Sequence, residues 1–358
     1  MTTGTDDDET IKVTPSGSRG RPARSRTARS GRTLLGLAWA ASGGALVGLA
    51  AALWILWPRP PPLPQPPAVP RPPAAINLAP SPPAPVATPA IPAAPAFAIQ
   101  TANETEIREH IADTLTVFRF APNPNIIVLD FPTLLQQGLM LDRVAALVEK
   151  AGLPRDRVLT DAELDAAIRE RGDTIATFYY GHDYSAASLV RFFDLADHQH
   201  IVLNEQEEKL RALVRQLGWF APGAQGGLIS IPRVGADPNV TMSARGSILR
   251  HELSHGEFFS DPAYATYVRG FWRTDLTEAE RAGMRRFLGS EDYDTADEEL
   301  MLNEMQAYVM FTLDPQFFRA SDAGMTDQRR EQLQTEFLRG LDVAWLRDNM
   351  IHKLAVAP

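Results

Sequence analysis

The 358-residue sequence contains no cysteine. This absence excludes disulfide bonds, thiolate metal ligands and a cysteine nucleophile. Any metal ion that the chain binds must therefore be held by histidine, aspartate or glutamate side chains.

Basic residues are scarce in most of the chain. The net charge is −9, yet residues 1–96 hold nine of the 35 lysines and arginines and only four of the 44 acidic residues. Residues 97–358 therefore carry 26 basic against 40 acidic side chains. An acidic surface is poorly suited to bind nucleic acid phosphates, so we expect no nucleic-acid partner.

Charge is absent altogether from residues 33–57, a segment long enough to cross a hydrocarbon core of about 30 Å as a helix. Seven basic residues precede it, and Trp54 and Trp57 lie at its far end, which favours a cytoplasmic N-terminus. We predict a basic cytoplasmic tail (1–32) and one transmembrane helix in an inner membrane, with the rest of the chain in the periplasm or extracytoplasmic space. The alternative, a cleaved signal peptide, lacks a small-x-small cleavage site.

Proline is concentrated after this segment, because residues 58–96 hold 17 of the chain's 29 prolines. Such a stretch cannot form a regular hydrogen-bond ladder, and it favours a stiff polyproline II spacer of up to about 120 Å. We predict a proline-rich linker that holds a folded domain, residues 97–358, away from the membrane. A ligand for SH3 domains is the alternative role for these prolines.

Helical periodicity begins at residue 97 and predicts an α+β fold, a mainly helical domain with a small sheet. Three apolar, β-branched stretches predict strands at 125–131, 200–203 and 226–234. Pro232 suits an edge strand, and a plain core strand is the alternative. The predicted helices are 104–116, 132–152, 159–172 with Thr160 as N-cap, 185–196, 204–218, 245–259, 262–272, 277–289, 297–313 and 325–345.

One motif carries chemistry: residues 247–259 read SILRHELSHGEFF, with His251, Glu252 and His255 in the order H-E-x-x-H. On a helix the two histidines share one face and can bind one zinc ion, while Glu252 reaches a water on that ion as general base. The pattern arises by chance in about one such chain in a hundred. The alternative is a surface helix whose polar side chains face solvent.

A catalytic zinc site usually has a third protein ligand. Glu304 lies on a predicted helix among apolar residues, where a charged side chain is costly unless it is paired, for example with a metal. Three rival ligands have more polar neighbours and are typical of a solvated first helical turn: Asp297, Glu298 and Glu299.

The motif H-E-L-S-H at 251–255 followed by N-E-M-Q-A at 303–307 resembles the gluzincin branch of zincin metallopeptidases. The resemblance covers about 60 residues directly. It implies that His251, His255 and Glu304 bind Zn²⁺ and that Glu252 is the base. Two positions differ from the family pattern: Glu257 replaces an apolar residue, and Tyr308 replaces an aspartate that supports the first histidine.

A donor for the oxyanion is also needed, and Tyr264 and Tyr308 are the catalytic candidates, with Tyr267 in the same region. His182, in the stretch YYGHDYS, is a further candidate if a turn presents it, although a packed aromatic turn is the simpler interpretation. His198 and His200 have a spacing that some metal sites use, and we interpret them as a loop leading into a strand.

The sequence thus predicts a membrane-anchored zinc metallopeptidase in which zinc-bound water attacks a peptide carbonyl. Its expected partners are a peptide or protein substrate, cell-envelope proteins among them, and the membrane through residues 33–57. A zinc hydrolase of other amide or ester bonds would use the same residues. The alternative function is a non-catalytic zincin-like module for envelope assembly or binding. Such a module would not need Glu252 as a general base.

Overall fold

A mixed β-sheet forms the centre of the fold. The computed structural model describes residues 97–356, and in that range five strands have the order β1-β2-β3-β5-β4. The β1/β2 and β3/β5 pairs are parallel, whereas β2/β3 and β4/β5 are antiparallel, so β1 and β4 are the edges. The strands are β1 (Ile99–Ala102), β2 (Thr116–Phe120), β3 (Ile126–Phe131), β4 (His182–Ser185) and β5 (Gly227–Pro232).

Helices surround this sheet and form the whole C-terminal third of the described chain. Their bounds are α1 (Glu104–Glu109), α2 (Leu134–Val148), α3 (Asp161–Glu170), α4 (Ala186–His198), α5 (Glu205–Gln216), α6 (Met242–Ser260), α7 (Pro262–Thr274), α8 (Glu278–Ser290), α9 (Glu298–Met305), α10 (Asp327–Gly340) and α11 (Ala344–Val356). A π-helix (Gln306–Phe311) continues α9, and a 3₁₀ turn covers Ala320–Ala323. The predicted α+β class, mainly helical with one small sheet, is confirmed.

Most predicted elements are found, and the misses occur where tertiary contacts decide the conformation. Thr160 caps α3 as predicted, accepting from Glu163 N–H while the Glu163 carboxylate accepts from Thr160 N–H. The helix predicted at 104–116 is wrong beyond Glu109, because Thr116–Phe120 pairs with both β1 and β3. The strand predicted at 200–203 is also wrong, since His200 has φ 57° in the left-handed region and residues 201–203 pair with no strand of the described sheet.

One of the two interpretations of residues 226–234, as an edge strand or as a core strand, is wrong. The strand β5 lies between β3 and β4, so the edge-strand interpretation of residues 226–234 is wrong and the core-strand interpretation is confirmed. Pro232 is tolerated because it lies beyond Gly227–Ser230, the part of β5 that pairs with β4. The edge strand next to β5 is β4 (His182–Ser185), a stretch for which the sequence predicts a turn.

The long helix α6 crosses the sheet in close contact with it. All six residues of β3 and of β5 are buried. A Cβ on Gly227 would lie 2.8 Å from Gly256 Cα, and one on Gly256 would lie 2.8 Å from Ile126 Cγ2. Glycine is therefore required at both positions for the helix to approach the strands.

A buried ion pair fixes the beginning of α6 to the sheet. Arg245 donates to both Asp130 oxygens at 2.9 and 2.8 Å, and neither side chain is exposed. Its remaining N–H groups donate to the carbonyls of Arg108, Ile107 and Pro232. This network fixes the position of the helix on which the H-E-x-x-H motif lies.

The predicted tail (1–32), transmembrane helix (33–57) and linker (58–96) lie outside the described residues. Within 97–356, none of the helices combines the length and the low polarity that crossing a membrane requires.

Candidate metal centre

The motif lies in the middle of α6 and points into the protein. His251, Glu252 and His255 each have an exposed fraction of 0 %. The alternative of a surface helix with solvent-facing side chains is therefore wrong. Burial of three ionisable groups on one helix costs free energy unless they have partners, and this cost indicates that the motif has a specific role.

The predicted third ligand meets the two histidines. Oε2 of Glu304, on α9, lies 3.7 Å from Nε2 of His251 and 3.7 Å from Nε2 of His255. The two Nε2 atoms are 3.1 Å apart, and Glu304 is fully buried. These separations are the ones expected around a tetrahedral zinc ion with ligand bonds of about 2.0–2.2 Å.

The tautomer of His251 follows from its other ring nitrogen. The Thr312 hydroxyl donates to the Ala307 carbonyl at 3.0 Å, so at 2.8 Å it accepts the proton on His251 Nδ1. Nε2 is then left with its lone pair directed at His255 and Glu304. Burial and the neighbouring His255 lower the pKa of His251 well below its usual value, which keeps the ring neutral.

Thr312 reaches His251 because the helix after Glu304 is widened. The Thr312 N–H donates to the Ala307 carbonyl five residues earlier, at 2.8 Å, which is the bond of a π-helix. Arg330 on α10 donates to the carbonyls of Tyr308, Val309 and Thr312. It thereby pairs carbonyls near the end of the π-helix, a turn that no sequence pattern predicts.

His255 is neutral as well. Burial lowers its pKa to about 4, and a hydrogen bond with Asn303 opposes this shift. On its Nδ1 side lies Asp183 Oδ1, 3.8 Å away. Two neutral imidazoles with Nε2 atoms 3.1 Å apart leave at least one nitrogen lone pair available for a cation.

The carboxylates of the site lack partners. Among residues 97–356, no donor lies at hydrogen-bonding distance from either oxygen of Glu252 or of Glu304. Burial raises the pKa of both groups well above the usual value. Buried acceptors without partners are rare in proteins, and an ion is one explanation for them.

Glu252 is held against the strand β4. A Cβ on Gly181 would lie 2.1 Å from Glu252 Oε1. The residue that precedes β4 must therefore be glycine for the carboxylate to occupy this position. Alternation along β4 directs Asp183 towards α6, where one Asp183 oxygen, one Glu252 oxygen and one His255 ring nitrogen lie within 4.8 Å of one another.

Two further buried carboxylates, which the sequence did not indicate, adjoin the site. One atom each of Glu149, Asp183 and Glu304 lies within 4.8 Å of the other two. Burial raises the pKa of Glu149 to about 7, although Lys150 opposes the shift. Glu149 follows α2 and Asp183 lies in β4, so only the tertiary fold brings them together.

A cavity of about 320 Å³ adjoins these carboxylates. Its walls include Glu149, Asp183, Ser185, Phe258, Arg269 and Asn303. It lies between the edge strand β4 and helix α9, and Glu149 and Asp183 are the residues of the metal-ligand groups that line it. A larger cavity of about 900 Å³ lies at the beginning of α6 around Arg250, and none of its lining residues belongs to the metal-ligand groups.

The predicted tyrosines occupy different positions. The Tyr308 ring packs edge-on against the His251 ring, with centroids 4.6 Å apart, and its hydroxyl has no hydrogen-bond partner. The Tyr264 hydroxyl donates to Gln306 Oε1 at 2.7 Å, and Gln306 donates to Ser254 on α6. Tyr267 donates to the Phe337 carbonyl. Of the three, Tyr308 contacts a motif histidine directly.

The rival third ligands have other roles. Asp297 caps α9, and Glu299 accepts from Arg269 at 2.7 Å. Glu298 accepts from Trp272 and also pairs with Arg285. Glu304 alone of the four belongs to the groups that could hold a metal.

The other candidate histidines lie apart from the motif. His182 contacts the Tyr184 hydroxyl at 2.9 Å, and burial lowers its pKa to about 3. His198 ends α4, and His200 follows it in the left-handed region. None of them belongs to a metal-ligand group within residues 97–356.

The two departures from the gluzincin pattern have local explanations. Glu257 is buried and accepts from Asn123 at 2.8 Å and from Trp345 at 3.0 Å, so it connects α6 to the β2–β3 loop and to α11. Where an aspartate would follow Glu304 by four residues, Tyr308 packs on His251, and Thr312 supplies the hydrogen bond instead.

No family model, curated protein or solved structure matches the chain. The chemistry of the site therefore has to be argued from its geometry.

Proposed function

We propose that this protein is a zinc-dependent hydrolase of peptide bonds. The observation that carries the proposal is the convergence of His251, His255 and Glu304 on one point, with no hydrogen-bond donor to the Glu304 oxygens. Two nitrogens and one oxygen are the ligands that a catalytic zinc ion takes, with one position left open.

The residues fit zinc better than they fit a structural polar network. A polar network would pair each buried oxygen with a donor, yet Glu252 and Glu304 lack donors. The Thr312 contact fixes His251 with Nε2 as the free nitrogen, which is the usual arrangement behind a metal-bound histidine. Soft thiolate ligands are excluded because the chain has no cysteine.

A bound zinc ion supplies Lewis acidity, which polarises a carbonyl and lowers the pKa of water towards about 7. Glu252 holds and moves the proton, because its free oxygens lie beside His255 and no other group neutralises them. Gly181 keeps Glu252 in this position. Thr312 orients the His251 imidazole.

Tyr308 is the better placed of the two predicted oxyanion donors. Its hydroxyl has no partner and its ring lies on His251, whereas the Tyr264 hydroxyl is already donated to Gln306. A free phenol next to the ligands can donate to negative charge that develops on a substrate oxygen.

The peptide class is supported by the edge strand. Asp183, Tyr184 and Ser185 of β4 line the cavity, and β4 has a strand partner on only one side. A strand edge that lacks a neighbouring strand can pair through main-chain hydrogen bonds with an extended peptide that reaches it. An ester or a small amide would not use that edge.

The proposed location follows from the sequence alone. Residues 33–57 would anchor the protein in an inner membrane, and residues 58–96 would hold the catalytic domain on its outer side. Protease treatment of intact spheroplasts tests this topology. Cleavage of the 97–358 domain without membrane lysis is expected, and protection of the domain would contradict it.

The test compares the full-length protein, purified in detergent, with Glu252→Gln and His255→Ala variants. We expect about one zinc per chain in the wild type and in Glu252→Gln, and loss of zinc in His255→Ala. Hydrolysis of unstructured protein substrates should fall at least about 100-fold in Glu252→Gln, because the base is removed while the metal stays.

Glu299→Gln is the matched control, since Glu299 lines the same cavity but pairs with Arg269. It should keep both zinc and activity. Zinc binding with unchanged behaviour of Glu252→Gln would favour the non-catalytic module, and full zinc retention in a Glu304→Ala variant would disprove the third ligand.

A further inference from the structure

The proposed zinc site uses only part of the buried carboxylate cluster. Glu149 and Asp183 lie on the side of Glu304 that adjoins the 320 Å³ cavity. They are 2 % and 5 % exposed, so both are effectively removed from bulk water. Carboxylates buried this close together repel one another unless protons or cations neutralise them.

We propose that Glu149, Asp183 and Glu304 form a second cation site, which takes a hard divalent ion such as Mn²⁺ and shares Glu304 with the zinc site. The three ligand atoms lie within 4.8 Å of one another, a spread that oxygen ligands at about 2.1–2.4 Å from one ion can have. The proposal rests on the proposed function only through Glu304.

Unpartnered atoms point to a ligand here independently of the acidic charge. Glu149 Oε1 and both Glu304 oxygens are buried without a hydrogen-bond partner. The nearby cation does not supply one: Lys150 places Nζ over the rings of Phe178 and Tyr179, 4.6 and 4.3 Å from their centroids, without a hydrogen bond. Arg155 pairs with Asp294.

The ligand set determines the kind of ion. All three ligands are carboxylates, which favour Mg²⁺, Ca²⁺ or Mn²⁺ over softer metals, whereas the two histidines favour zinc at the first site. Glu149 and Asp183 line the cavity, which has room for the water ligands that hard cations retain. The two sites thus differ in the metals that they select.

Negative charge is concentrated beside the cavity. Four carboxylates meet here, from Glu149, Asp183, Glu252 and Glu304, and Lys150 is the cation beside them. With all four ionised, one zinc ion and Lys150 leave one negative charge uncompensated in a buried site. This remaining charge attracts a further cation on the cavity side.

The test uses full-length protein that is stripped of metal, loaded with one equivalent of Zn²⁺ and titrated with Mn²⁺. Electron paramagnetic resonance measures free and bound Mn²⁺. We expect one Mn²⁺ per chain in the wild type and at least about tenfold weaker binding in Glu149→Gln, because a charged ligand is lost. Glu299→Gln should bind Mn²⁺ like the wild type, since Glu299 lines the cavity outside the cluster.

A second measurement does not depend on any variant. Protein loaded with Mn²⁺ alone should bind two ions per chain, and their spectrum should show exchange coupling because Glu304 is shared. Absence of Mn²⁺ binding to the zinc-loaded wild type, a spectrum of two isolated ions, or unchanged binding in a folded Glu149→Gln variant would each overturn the proposal. Zinc binding with Glu252-dependent hydrolysis but no Mn²⁺ binding would overturn this inference alone.

Discussion

The helix α6 carries two buried clusters of charged groups, and they are built in opposite ways. At its first turn, Arg245 and Asp130 form a two-bond ion pair, and the other N–H groups of Arg245 reach backbone carbonyls. Two turns later, Glu252 lies among carboxylates and neutral imidazoles without a donor. Both clusters are inaccessible to solvent.

The difference is the one expected between a structural role and the proposed ligand-binding role. A cluster that satisfies itself has no use for an added ion and fixes the fold. A cluster whose oxygens lack donors is stable only when something else supplies positive charge. The Arg245–Asp130 pair thus fixes the beginning of α6 to the sheet, and the unpaired carboxylate of Glu252 lies two turns further along the same helix.

The largest expected effect is at the structural cluster. Replacing Arg245 with methionine leaves Asp130 buried with only His110 beside it. We expect a loss of about 3–5 kcal/mol in the free energy of unfolding, measured by urea denaturation. Arg250→Met is the control, because Arg250 pairs with Glu104 near the surface and should cost about 1 kcal/mol or less. Equal effects of the two variants would contradict the comparison.

The second prediction concerns the hydrogen bond behind His251. Thr312→Val keeps the size of the side chain but removes the acceptor for His251 Nδ1–H. Zinc affinity should fall about 10–100-fold, as competition with a chelator measures. Thr335→Val removes an exposed hydroxyl on α10 and should leave the affinity unchanged. Unchanged affinity in Thr312→Val would show that Thr312 does not orient the ligand.

The residues of the two clusters that are close together in the sequence could be predicted to meet, and those that are far apart could not. His251, Glu252 and His255 share one helix, so their spacing was sufficient to bring them together. Glu304 was found from its apolar neighbours, and the structure brings it to the histidines. The class of the fold followed from periodicity in the same way.

The remaining residues were beyond the reach of local patterns. Glu149 and Asp183 lie beside Glu304 only in the folded protein. Their spacing along the sequence does not predict this contact. Thr312 reaches His251 only because a π-helix follows α9, and helical periodicity assumes 3.6 residues per turn. Asp130 lies in an otherwise apolar strand, and its ion-pair partner Arg245 is 115 residues further along the chain.

The third prediction compares equivalent changes at the two clusters in protein without metal. Glu304→Gln removes a buried charge that lacks a donor, so the stability should change by about 1 kcal/mol or less, or rise. Asp130→Asn leaves Arg245 without its counter-charge and should cost about 3 kcal/mol. Thermal unfolding in a chelator measures both. With zinc present, Glu304→Gln should lose the stabilisation that the metal provides.

The smallest effect is a dependence on pH that belongs to the unpaired cluster. Burial raises the pKa of Glu149 to about 7, above its value in the unfolded chain, and that of Glu304 well above its usual value. Between pH 6.5 and 8 these two carboxyl groups therefore bind more protons in the folded protein without metal than in the unfolded chain, so their contribution to stability falls as pH rises. The expected change is about 1 kcal/mol for one such group.

Histidines oppose this trend. Their pKa values are lowered by burial, to about 4 for His255 and about 3 for His182, so near pH 6.5 the unfolded chain holds protons on them that the folded chain lacks. The wild type is therefore compared with Glu149→Gln, in which the histidine contribution is the same and cancels. Below pH 6.5 the histidines continue to act in the opposite direction to the carboxyl groups, because the unfolded chain then binds the additional protons. Bound zinc keeps its ligand Glu304 ionised, so zinc should remove the contribution of Glu304 to the slope and leave that of Glu149. A slope unchanged by zinc would mean that Glu304 is not its ligand.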